Sequence, residues 1–128
     1  MSRTLRWSVA KLALIGLVAG SAACVPATTL PSDCGATTVE RAATLTTGGL
    51  NPSATDVCKG QKVTFTIDVE RAGVLHMHGY DDQVPEQEVK VGDHPKLTFT
   101  ASRAGQFIIE LHVGSDEVQI GILTVHEH

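Results

Sequence analysis

The chain has 128 residues, with 14 acidic against 10 basic side chains, a formal charge of −4 and 4% aromatic content. That length holds one domain, and the acidic balance argues against nucleic acid as a partner, because phosphates select basic faces.

Residues 1–23 read as an export signal. Arg3, Arg6 and Lys11 precede the apolar run LALIGLVA at 12–19, and small residues (GSAAC) follow it. The apolar run is too short to span a bilayer, which takes roughly 20 residues. SAAC at 21–24 resembles a bacterial lipobox with Cys24 as the lipidated residue, but Ser21 stands where that motif carries Leu or another aliphatic. Ordinary cleavage after Ala23 or Ala27 is the alternative.

Cysteine number favours the lipid, because an exported chain with three cysteines leaves one to be accounted for. With Cys24 modified, Cys34 and Cys58 remain to form a disulfide, worth about 3.5 kcal/mol by loop closure. Free thiols or metal ligation by this pair are the alternative. Loss of the signal removes three of the ten basic residues and none of the fourteen acidic ones, so the mature formal charge is −7. The expected location is the cell envelope, either as a membrane lipoprotein held by a lipid anchor or as a periplasmic or extracellular protein.

Residues 24–38 are rich in Pro, Thr, Ala and Ser without apolar period and read as a flexible tether, leaving 39–128 as the folded domain. From there the period is two. Val63, Phe65, Ile67 and Val69 alternate with Thr64, Thr66, Asp68 and Glu70, and Leu97, Phe99 and Ala101 alternate with Thr98 and Thr100. Phe107, Ile109, Leu111 and Val113 alternate with Ile108, Glu110 and His112, while 118–125 is apolar on both faces, as in a central strand. Glycines and the turns at Asn51 and Asp93 punctuate these runs. Six to eight short strands without a helical period predict an all-β, antiparallel sandwich.

The runs CKGQKVTFTIDVERAGVLHMHGYD at 58–81 and VKVGDHPKLTFTASRAGQFIIELHVGSDEVQIGILTV at 89–125 resemble the cupredoxin-like domains of exported bacterial proteins, such as those of iron-uptake lipoproteins. The resemblance covers about 39–125 and implies a Greek-key β-sandwich. It also implies a type 1 copper site of His, Cys, His and Met, of which this chain keeps only the first histidine, as His76. An ungapped match puts Leu111 at the cysteine, Gly114 at the second histidine and Gln119 at the methionine. A blue site needs a copper–thiolate bond, and no cysteine follows Cys58, so type 1 copper is not expected.

Another set of donors takes its place. Alternation puts Val74, His76, His78 and Tyr80 on one side of their strand, and Glu110 and His112 on the face of theirs opposite Ile109 and Leu111. Cupredoxin topology implies that these two strands are neighbours, so that His76, His78, Glu110 and His112 meet on one sheet face. Three imidazoles and a carboxylate suit a divalent transition metal such as copper, zinc, nickel or iron, with Asp81 or Asp82 as a further ligand or a support. The competing reading is a polar surface, with the histidines hydrogen-bonded to Glu110, Asp81 and Tyr80.

His94 is expected to be exposed, and the terminal His126 and His128 to fray. No nucleophile triad, phosphate loop or zinc-protease helix is present, so an enzyme is not expected. The expected function is binding or handing over a transition metal in the envelope, with an envelope protein as a further candidate partner. The alternative is a non-metal interaction or structural module on a cupredoxin scaffold.

Overall fold

The computed structural model describes residues 29–128; the signal, Cys24 and the first part of the tether lie outside them. Nine strands follow in order: β1 (Thr38–Thr46), β2 (Gly49–Asn51), β3 (Ala54–Cys58), β4 (Lys62–Val69), β5 (Gly73–Met77), β6 (Gln87–Val89), β7 (Lys96–Thr100), β8 (Gly105–Val113) and β9 (Asp116–His126). They form two facing sheets, one ordered β2-β1-β4-β7 and the other β3-β9-β8-β5-β6. The core lies between the sheets, filled by the alternating residues: Val63, Phe65 and Ile67 from one sheet meet Leu75, Ile109 and Leu111 from the other, all 0–2% exposed. β9 runs between β3 and β8, which accounts for its apolar character on both faces.

Nine strands replace the six to eight expected, because β2 and β6 are three residues each and too short to show alternation. The sandwich is also not wholly antiparallel: β1 runs parallel to β4, and β3 parallel to β9. Between β1 and β4 the chain crosses to the other sheet to form β3 and then returns, so the two strands can run the same way.

Residues at the end of the expected tether are fastened to this frame. Cys34 is disulfide-bonded to Cys58, Asp33 receives two hydrogen bonds from the Arg41 guanidinium at 2.9 and 3.0 Å, and Gln61 Nε2 donates to the Asp33 and Ala36 carbonyls. Composition alone could not reveal these cross-chain attachments. The Arg41 pairing holds the Asp33 carboxyl below its ordinary range.

At the other terminus, His126 does not fray. It ends β9 with its side chain 8% exposed, and its Nε2 donates to Asp56 Oδ1 at 2.7 Å. His94 is exposed as expected and bonds Asp68 at 2.7 Å.

Candidate metal centre

The antiparallel ladder of β5 and β8 sets Val74 opposite His112, Leu75 opposite Leu111 and His76 opposite Glu110. Leu75, Met77, Ile109 and Leu111 point into the core, which turns His76, Glu110 and His112 onto the outer face of the five-stranded sheet. Two backbone features bring them close. Gly73 lets β5 press against β8, since a Cβ there would lie 2.7 Å from Leu111 Cγ and 2.8 Å from the His112 carbonyl. On the other side of β8, the register slips between Ile109 and Glu110, leaving Ile120 of β9 without a partner. Such a bulge twists the strand locally and re-aims its side chains.

β5 stops at Met77, and Gly79, at φ 78°, turns the chain. The expected placement of Tyr80 beside the histidines is therefore wrong. The turn breaks the alternation, and Tyr80 enters the core with its ring 4.9 Å from Phe99 and 5.0 Å from Phe107. Burial raises its phenol pKa. Arg103 closes over this turn, donating to the Gly79 carbonyl with its guanidinium 5.7 Å from the Tyr80 ring centre and 5.6 Å from that of Phe107. Gln83 then ties the following loop to β7, its Oε1 accepting from Thr100 N at 2.7 Å.

His78, Asp81 and Glu86 hang from this anchored loop, facing the three residues of the sheet. His78 Nε2 donates to Glu110 Oε2 at 2.7 Å, and His76 Nε2 donates to Asp81 Oδ1 at 2.5 Å. Glu86 Oε1 lies 3.3 Å from His76 Nδ1, and Glu110 Oε2 lies 3.6 Å from His112 Nε2. The rings of His76 and His78 are 4.3 Å apart between centres, and those of His76 and His112 are 5.6 Å apart, edge to face. Side-chain exposure is 15% for His76, 18% for Glu110 and 24% for His112, but 46% for His78. The cluster is thus shielded, with His78 at its rim.

The bond to Glu110 raises the His78 pKa against the opposing effect of burial, and the same bond lowers that of Glu110. The His76 hydrogen bond likewise lowers the Asp81 pKa.

All four residues expected from the sequence therefore gather on one face, and Asp81 joins them. Two donor groups stand out among the described residues, each with its ligand atoms within 4.8 Å of one another: His76, His78 and Glu110 in one, and His76, Glu86 and His112 in the other. Sequence reasoning missed Glu86. The β5–β6 hairpin pairs Gly73 with Val89 and Leu75 with Gln87, so the next step brings Glu86 beside His76. The three-residue strand QEV was the only signal of that return.

Two ring nitrogens, His76 Nδ1 and His112 Nε2, are buried without a hydrogen-bond partner. Asp81 accepts a hydrogen bond from His76 Nε2–H, so a neutral His76 carries its lone pair on Nδ1, on the Glu86 side. Buried polar atoms left unpaired are uncommon and costly, and here they belong to the right elements for a metal. Leu111, matched by sequence to the copper-site cysteine, is fully buried on the opposite face of β8, and the cysteines at 34 and 58 are joined to each other.

No protein-family model and no curated protein sequence matches the chain. Solved structures do match in fold. An NMR solution structure of a copper binding protein in its apo form is similar at 15% identity, over 70% of this chain and 89% of that one, with a TM-score of 0.56. The metal binding domain of the Streptococcus pneumoniae D39 Cu(I) exporting P-type ATPase CopA, solved with Cu(I), is similar at 16% identity, over 72% and 89%, with a TM-score of 0.57. The Blue Copper Oxidase from Nitrosomonas europaea is similar at 19% identity with a TM-score of 0.55, and the match takes in 70% of this chain but 39% of that longer one. The chain has the cupredoxin fold, and its structural neighbours are copper-binding domains of that type.

Proposed function

We propose that this protein binds a divalent transition metal in the cell envelope, to hold it or hand it over, and that it is neither a blue-copper electron carrier nor an enzyme. The observation that carries this reading is the pair of buried, unpartnered nitrogens, His76 Nδ1 and His112 Nε2, with the Glu86 carboxylate beside the first. His76, His112 and Glu86 are the primary ligands. Asp81 fixes the tautomer and orientation of His76 in the manner of the carboxylates that support metal-bound histidines. Glu110 and His78 form a second donor group with His76 on the exposed side.

Nitrogen and oxygen donors favour Cu(II), Zn(II), Ni(II) or Fe over Cu(I), which prefers sulfur. In this reading the signal delivers the chain to the envelope, and Cys24 anchors it to the membrane through lipid.

Spectroscopy tests the ligand set. Cu(II) added to the full-length mature protein should give a weak visible absorption and nitrogen hyperfine structure in its paramagnetic resonance spectrum. An intense thiolate-to-copper band would refute the assignment.

A further inference from the structure

The two donor groups share a single residue, His76. Its ring sits between them: His78 lies two residues on, just past the end of β5, while His112 lies across the ladder opposite Val74, two positions back. The two edges of the ring also face different carboxylates, Asp81 at Nε2 and Glu86 at Nδ1.

Resting on the metal-binding reading above, we infer that the cluster holds two divalent ions, bridged by the His76 ring. The inner position is built from His76 Nδ1, Glu86 and His112 Nε2. The outer is built from His76 Nε2, Glu110 and His78, with the Asp81 carboxylate beside it. Geometry favours two positions over one shared position. Ligand atoms about 2.0–2.1 Å from a common ion cannot lie much more than 4 Å apart. Among the described residues, no group of donors whose ligand atoms lie even within 4.8 Å of one another includes both His78 and His112.

Charge balances as well. Two dications meet three carboxylates, those of Asp81, Glu86 and Glu110, and the fourth negative charge comes from His76 as imidazolate. Filling the outer position breaks the His76 Nε2–H bond, the ion takes the electron pair left on nitrogen, and the proton passes to buffer. No electron is transferred. The outer ion also displaces the His78–Glu110 hydrogen bond, so it binds more weakly than the inner one and more weakly still in acid.

The test is Cu(II) stoichiometry on the full mature chain carrying His128→Ala, which removes the exposed terminal imidazole and leaves the buried His126 in place. Equilibrium dialysis should show two equivalents bound. The paramagnetic signal should rise over the first equivalent and fall over the second, because an imidazolate couples the two spins. Glu86→Gln and His78→Ala should each reduce the count to one and restore an uncoupled signal. A single equivalent in the parent protein, or two with additive signals, would overturn the bridge and leave the single metal site standing. No bound copper would overturn both.

Discussion

Glu110 stands directly across the β5–β8 ladder from His76 but gives its carboxylate to His78, 2.7 Å away, leaving His76 to Asp81 and Glu86. The ladder therefore sets which residues are near one another, and the loop after β5 sets which of them pair.

The pairing of His78 with Glu110 makes the stability of the metal-free protein depend on pH. The folded-state pKa of His78 is raised, so its contribution is fully present below about 6.5 and is lost as pH rises through the raised value. That of Glu110 is lowered, so its contribution is present above about 4.3 and is lost as pH falls through the lowered value. The pair is thus most stabilising between these limits. In the presence of chelator, Glu110→Gln should lower stability more at pH 5.5 than at pH 8.5, with a difference of at most about 1 kcal/mol because His78 lies at the solvent-exposed rim. An equal loss at both pH values would dismiss the coupling.

Gly73 tests the close packing under the site. Gly73→Ala places a methyl group against Leu111 and the His112 carbonyl, and should cost about 1–3 kcal/mol in urea denaturation. By pushing β5 from β8 it should also weaken Zn(II) binding. Ala at Gly35, whose Cβ would meet nothing within 4 Å, serves as the control and should change neither.

Reduction of the bond between Cys34 and Cys58, 24 positions apart in the chain, should lower stability by about 3.5 kcal/mol. It should also free the segment around Asp33, seen as faster amide exchange at Ala36. Two alkylatable thiols in freshly isolated, unreduced protein would show that the bond does not form in the cell.

The sandwich was legible because β4, β7 and β8 alternate strictly, and burial follows that alternation at Val63, Phe65, Ile67, Leu97, Phe99, Ile109 and Leu111. The same period put His76, Glu110 and His112 on one face. It failed where the backbone leaves the strand: Gly79 reverses the chain, and Tyr80 goes inward instead of outward. Glu86 was hidden because its place depends on the register of a hairpin whose second strand has three residues. The parallel pairs and the burial of His126 against Asp56 arise from contacts between distant parts of the chain, which local pattern does not encode.

The most direct test of the metal site is isothermal calorimetry with Zn(II) and Cu(II) on the full mature chain carrying His128→Ala, against the same chain with His76, His78 and His112 also changed to Ala. The parent should bind at least about a hundredfold more tightly than the triple variant at pH 7.5, and its affinity should fall below pH 6.5, where the imidazoles protonate. Equal affinities in the two proteins, with both folded by circular dichroism, would contradict the account and reduce the cluster to a polar sheet face.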